Sequence, residues 1–273
     1  MGRPMAERLL AQGYRLWVWN RTLAKAEALR EKGAQIARTP ASACAKSAIV
    51  FTMLSDFAAT CEVLAGIELG GKILVQMATI APEQSLKLAE QVRQAGGAYL
   101  EAPVLGSIPE TQAGKLLILV GGPETLFLQL SPLLEHLGKL WRVGEVGKAA
   151  ALKLALNQLI GSLTAAFATS LAFVQEHQIP VETFMEVLRQ SALYAPTFDK
   201  KLARMLKRWY QTPNFPTEHL IKDLDLFQNA AHFLDTRLVA AARNLYAHAL
   251  PEHPREDYAC VFEAVLPEKT PNR

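Results

Sequence analysis

The chain has 273 residues, half of them apolar, with 29 Lys and Arg against 26 Asp and Glu. That composition excludes a disordered chain and is large enough for two domains. Charges are scattered apart from DKKLARMLKRW, so nucleic acid is not expected as a partner, and three distant cysteines (Cys44, Cys61, Cys260) in no metal-ligand spacing predict free thiols in a reducing, cytoplasmic setting without a metal.

The opening MGRPMAERLLAQ reads as a helix: Pro4 falls in its first turn, Met5, Leu9 and Leu10 form one stripe, and Gly13 terminates it. Arg3, Glu7 and Arg8 argue against a secretory signal. The expected strands follow as RLWVWN, AQIA, SAIVFTML, KILVQMA, AYLEAPV, KLLILVG and KLWRVG. Between them lie the expected helices TLAKAEALREK, DFAATCEVLAG, APEQSLKLAEQVRQAG and PETLFLQLSPLLEHLG. Near-continuous apolar runs suit parallel strands covered on both faces. Residues 1–146 therefore predict an α/β domain, a Rossmann-like doubly wound parallel sheet. A helix stands first where such a repeat begins with a strand, so the sheet is expected to lack its first strand, as a chain shortened from a longer one or a naturally short one would.

Residues 147–273 predict an all-helical substrate and dimerisation domain. A long helix over 149–177 ends at Ile179-Pro180, followed by VETFMEVLRQS, FDKKLARMLKRWY, TEHLIKDLDLFQNAAHFL, TRLVAAARNLYAHAL, EDYACVFEAVL and a frayed PEKTPNR tail. Within the long helix LALNQLIGSLTAAFATSLAFV is long enough to cross a bilayer. Its Asn157, Gln158, Ser162, Thr164, Thr169 and Ser170 would lack partners in hydrocarbon, so burial in protein, with no membrane, is the expectation. Apolar residues run around most of the helix, which predicts packing against a second subunit in a homodimer or tetramer.

Ligands of open α/β sheets bind beyond the carboxyl ends of the strands. RLWVWN closes on Asn20, with Arg21 and Thr22 next, at a place where an arginine accommodates an adenosine 2′-phosphate and an acidic residue would bind free ribose hydroxyls. This favours NADP, with NAD possible; a surface arginine opening a helix capped by Thr22 is the other reading. In GKAAALKLALNQ, Lys153 and Asn157 are four apart on one helical face, and the apolar neighbours of Lys153 predict a desolvated ammonium of lowered pKa, suited to proton transfer. Snorkelling of Lys153 to water is the alternative. Lys222 and Asp223 in IKDLDL are either cleft residues or a surface ion pair.

MGRPMA, WNRT, FTMLSD, MATIAP, EAPVLGS, GKAAALKLALNQ and IKDLDL stand in one order, and together the chain resembles the β-hydroxyacid dehydrogenase family over its whole length. The resemblance implies an NAD(P)-dependent oxidoreductase that moves hydride between a nicotinamide and a small carboxylate-bearing hydroxy acid or aldehydo- or keto-acid. It makes Lys153 the catalytic acid or base and Asn157 its substrate-orienting partner. Gly106, Ser107 and Asp223 would face substrate, with backbone N–H groups at Gly106 and Ser107 suited to its carboxylate. Gly2, Asn20, Arg21, Thr22, Leu54, Thr79, Phe215 and Lys222 would hold the cofactor. The Phe215-Pro216 and Lys222-Asp223 pattern leans towards the glyoxylate/succinic semialdehyde reductase branch. Two positions depart from the family: the usual APVSG reads APVLG, with Leu105 for the serine, and Ala78 stands for the commoner serine before Thr79. An imine-reducing relative and a non-catalytic cofactor-binding module are the alternatives, and retention of Lys153 favours hydroxyacid chemistry.

Overall fold

The computed structural model describes residues 1–266, so the expected frayed tail PEKTPNR lies outside the described residues. The chain forms two compact units, Met1–Leu154 and Ala155–Arg273, and the division falls inside a long helix rather than at its start.

In the first unit, helix α1 (Gly2–Ala11) buries Pro4, Met5 and Leu9. Strand β1 (Trp17–Val18) pairs in parallel with β2 (Gln35–Ile36), Val18 opposite Ile36, as a two-stranded sheet of its own. The main sheet contains β3 (Ile49–Thr52), β4 (Ile73–Gln76), β5 (Ala98–Glu101), β6 (Val104–Leu105), β7 (Leu116–Gly121) and β8 (Gly138–Gly144). β3, β4 and β5 lie side by side in parallel, and β8 runs parallel to β7. β7 is antiparallel to both β5 and β6, so the expected parallel sheet is a mixed one. AYLEAPV, expected as one strand, divides at Ala102-Pro103, since proline has no N–H for the ladder. Pro103 still contributes its carbonyl, accepting from Leu119 N at 2.9 Å.

Alternation along these strands sorts side chains onto two faces. Val75, Met77, Leu100 and Ala102 point into a core with Met5 and Leu9 of α1 and with Leu130 and Leu134 of α7 (Glu124–Leu134). Leu74 and Tyr99 pack on the other face against Leu88 and Val92 of α5 (Pro82–Gln94). The expected helix TLAKAEALREK is shorter, α2 (Leu23–Glu27), followed by a 3-10 turn over Arg30–Lys32 that ends on Gly33 at φ +96°. α4 (Phe57–Leu64) starts where Asp56 accepts from Ala59 N at 2.8 Å. α3 (Pro40–Ala45) and α6 (Ile108–Ala113) were not expected from periodicity, because six residues are too few to display it.

α8 (Lys148–Glu176) is the long helix. The second unit adds α9 (Val181–Gln190), α10 (Pro196–Lys207), α11 (Thr217–Ala230), α12 (Arg237–Ala249), a 3-10 turn at Tyr258–Cys260 and α13 (Val261–Val265). Its core gathers Phe167, Ala168 and Leu171 of α8 with Met205, Leu220, Leu224, Tyr246 and Phe262. Phe167 stacks on Phe198 with ring centroids 4.7 Å apart, and Tyr246 donates to Gly161 O at 2.8 Å. Lys201 Nζ donates to Asp257 Oδ1 at 2.6 Å, both groups being buried. Burial lowers the pKa of that ammonium, and the Asp257 carboxylate opposes the shift. By length and composition α8 could cross a membrane, yet Thr164, Phe167, Ala168 and Leu171 are buried within the helical unit. Leu159, Ala166 and Phe173 are exposed along its other side.

Candidate active site

Parallel strands bring their carboxyl ends to one edge, and β3, β4 and β5 each finish on a buried polar residue: Thr52, Gln76 and Glu101, in register across the ladder. Thr52 Oγ1 donates to Gln76 Oε1 at 2.6 Å, while Gln76 Nε2 is buried without a hydrogen-bond partner. Glu101 Oε1 accepts from the backbone N–H groups of Ala149 (2.8 Å) and Ala150 (3.3 Å) in the first turn of α8. The sequence reading missed this row. Its signal was a polar residue closing each apolar run.

The expected cofactor residues follow the strand ends. Gly2 opens α1 without a side-chain cap, and a Cβ there would lie 3.7 Å from Met53 Cβ, which places the helix start beside the carboxyl end of β3. Leu54 and Thr79, both half-buried, follow β3 and β4. Asn20 Nδ2 donates to Thr22 O at 2.9 Å, so Asn20 shapes the turn. Thr22 holds the N-cap position of α2, but its hydroxyl makes no cap bond, so the alternative reading of Thr22 as a cap is met in position and not in bonding. Arg21 is exposed. Arg38, absent from the sequence-based set, is also exposed and stands two residues beyond β2, at the same end of the β1–β2 pair as Arg21. Neither guanidinium has an ion-pair partner among the described residues.

Gly106 adopts φ +116°, and a Cβ there would meet Leu116 Cδ2 at 2.8 Å, so this position requires glycine. Ser107 has a local partner. Its N–H donates to Glu110 Oε2 at 2.8 Å and its hydroxyl donates to the same oxygen at 2.6 Å, forming a capping box at the start of α6. The Ser107 amide expected to face a substrate carboxylate is thus bound to a carboxylate of the chain, as is its hydroxyl. Leu105, the departure from the usual serine, is half-buried on β6 and supplies no polar atom.

Lys153 and Asn157 are both buried on α8, one turn apart, so the ammonium does not snorkel to water. Asn157 Nδ2 donates to Asp223 Oδ2 at 2.6 Å, and Lys222 Nζ lies 2.6 Å from Asp223 Oδ1. That second contact lacks hydrogen-bond geometry and is an ion contact. Asp223 is 2% exposed, so Lys222-Asp223 is not a surface pair; the carboxylate orients Asn157 and neutralises Lys222. Phe215 packs edge-to-face on Tyr258, ring centroids 5.8 Å apart, with its carbonyl accepting from Tyr258 N.

This donor set fits a phosphorylated dinucleotide. An uncapped helix start beside a strand end offers N–H groups to a diphosphate, and two cations without ion-pair partners among the described residues stand at a neighbouring strand end.

Residues 1–150 match the family described as the NAD binding domain of 6-phosphogluconate dehydrogenase. Residues 147–263 match the family described as the NAD-binding of NADP-dependent 3-hydroxyisobutyrate dehydrogenase. The chain is 33% identical to glyoxylate/succinic semialdehyde reductase 2, chloroplastic, of Arabidopsis thaliana, over 99% of its own length and 78% of that protein. It is 35% identical to glyoxylate/succinic semialdehyde reductase 1 of the same plant, covering 97% and 95% of the two chains. Among solved structures, 3-hydroxyisobutyrate dehydrogenase from Mycobacterium tuberculosis shares the fold with a TM-score of 0.89 at 20% identity, over 97% of this chain and 95% of that one.

Proposed function

The chain belongs to the β-hydroxyacid dehydrogenase family, which binds NAD(P), and from that premise we propose that it reduces a small carboxylate-bearing aldehyde or ketone to a hydroxy acid, with Lys153 as proton donor. The observation that carries this reading is the pair of buried residues on one face of α8, Lys153 and Asn157, with Asn157 held by Asp223.

When bound, the reduced nicotinamide supplies a hydride to the carbonyl carbon. Lys153 gives its proton to the carbonyl oxygen as negative charge develops there, and in the reverse direction it takes the proton back. Asn157, fixed by the Asp223 carboxylate, offers its amide oxygen to orient the substrate or the ammonium. Arg21 and Arg38 would hold the adenosine 2′-phosphate, which supports NADP ahead of NAD. Gly2 at the start of α1, Leu54 and Thr79 after β3 and β4, and Lys222 and Phe215 of the helical unit are the residues that would hold the rest of the cofactor. Gly106 shapes the substrate loop. Ser107 enters only if Glu110 yields it, so the loop is ascribed a shaping role ahead of a direct contact.

Glyoxylate and succinic semialdehyde are the substrates of first choice, because the two plant reductases are named for them. The test is oxidation of NADPH and NADH by the purified protein against a panel of small aldehydo- and keto-acids. Turnover with at least one acid and preference for NADPH supports the reading; cofactor binding without turnover across the panel removes it.

The exposed apolar side of α8 supports assembly as a homodimer or tetramer through that helix, and a monomer in light scattering would refute this. The same packing demand supports a protein that does not enter a membrane. Three free thiols support a cytoplasmic location.

A further inference from the structure

The start of α8 is anchored by a carboxylate that the proposed reaction does not use. Glu101 is 1% exposed, and each of its oxygens is occupied. Oε1 accepts the Ala149 and Ala150 N–H groups, and Oε2 accepts the Ser85 hydroxyl. Ser85 Oγ lies 2.8 Å from Tyr99 OH. A serine hydroxyl has one hydrogen and a carboxylate only accepts, so the direction of the chain is fixed: Tyr99 donates to Ser85 and Ser85 donates to Glu101. Burial raises the Tyr99 pKa, which keeps that phenol a donor.

The sheet makes room for this carboxylate. Its cross-strand partner on β7 is Gly121, where a Cβ would stand 2.3 Å from Glu101 Oε1. The helix in turn rewards a negative charge at this point, since its first N–H groups have no partner within the helix and the dipole is positive there. Four residues separate Ala149 from Lys153, about 6 Å of rise and about 40° of rotation, so the two share one face. An anchor on the Ala149 amide therefore sets both the height and the rotation of Lys153 relative to the strand ends.

We propose that Glu101 is a positioning residue for Lys153: with Tyr99 and Ser85 it ties the first turn of α8 to the end of β5 and so aims the lysine at the reacting oxygen. This rests on the reading of Lys153 as proton donor. A shift of the lysine by about 1 Å is enough to cost on the order of a hundredfold in turnover.

The test is a cycle of Glu101→Ala and Glu101→Gln, each alone and combined with Lys153→Ala, in the 273-residue protein saturated with NADPH and supplied with glyoxylate or succinic semialdehyde. Glu101→Ala is expected to lower kcat by roughly 30- to 100-fold. Its NADPH Kd, read by fluorescence, stays near the wild-type value. Amide exchange across 149–153 quickens in the same variant. Glu101→Gln keeps an oxygen for the two N–H groups, folds more readily, and loses about tenfold or less. Neither substitution lowers activity further once Lys153 is alanine. Unchanged kcat and exchange in the Glu101 variants, with Lys153→Ala inactive, would overturn this inference alone. The same fold-loss in both backgrounds would also overturn it, since Glu101 would then act independently of the lysine. Wild-type turnover in Lys153→Ala would remove the reading on which it stands, and the inference with it.

Discussion

Asp223 offers the sharpest test of how the helical unit holds Asn157. The Asn157 Nδ2 to Asp223 Oδ2 bond is short at 2.6 Å, joins two buried groups and is charge-assisted. Hydrogen bonds to charged groups contribute about 1.5–3 kcal/mol. Asp223→Ala removes that bond and also leaves the ammonium of Lys222, whose side chain is 25% exposed, without its 2.6 Å partner. Breaking a buried pair on one side costs about 3–5 kcal/mol, and the partial exposure of Lys222 places the expected loss near the lower end, about 3 kcal/mol. Asp223→Asn keeps an acceptor for Asn157 but brings an amide donor or a neutral oxygen to Lys222, so about half of that loss is expected. Urea unfolding of the single variants, of Asn157→Ala and of the double variant measures the coupling, expected at about 1–3 kcal/mol. Catalytic rate should fall in parallel, with cofactor affinity little changed. Additivity of the two alanine substitutions within about 0.3 kcal/mol would refute the claim that Asp223 holds Asn157.

Other outcomes follow from individual positions. Gly106→Ala puts a side chain on a φ of +116° and against Leu116, so thermal unfolding should show a loss of about 1–3 kcal/mol together with weakened substrate binding. Lys201→Met leaves the Asp257 carboxylate buried with the Ala259 and Asn214 N–H groups but without its cation, and a loss of about 3–5 kcal/mol is expected in denaturant unfolding. Arg21→Ala and Arg38→Ala should each weaken 2′,5′-ADP binding in calorimetry while leaving 5′-ADP unaffected; equal losses for both ligands would place the arginines away from the 2′-phosphate.

The sequence disclosed those parts whose signal is periodic or local. Lys153 and Asn157 stood out because two polar residues four apart interrupted an apolar helix, and both are buried on one face. The strands were found from their apolar runs, but their lengths were overestimated: RLWVWN forms a ladder only at Trp17–Val18, because pairing depends on a neighbour that periodicity does not reveal. The local partner of Ser107 was visible in the sequence. SIPE is a serine followed three residues later by glutamate, the pattern of a capping box, and it also marked α6. Likewise Thr39 and Ser42 mark α3. Glu101 and Asp223 were harder, since their roles arise from partners 48 and 66 positions away in sequence. Nothing local distinguishes a carboxylate that anchors a distant helix from one that faces water.

The most direct measurement compares wild type with Lys153→Ala in NADPH binding and in turnover of glyoxylate or succinic semialdehyde. An NADPH Kd within about twofold of wild type is expected, with turnover reduced by about two to four orders of magnitude, the range supplied by general acid catalysis. Retention of near wild-type turnover in Lys153→Ala would contradict the reading of Lys153 as proton donor.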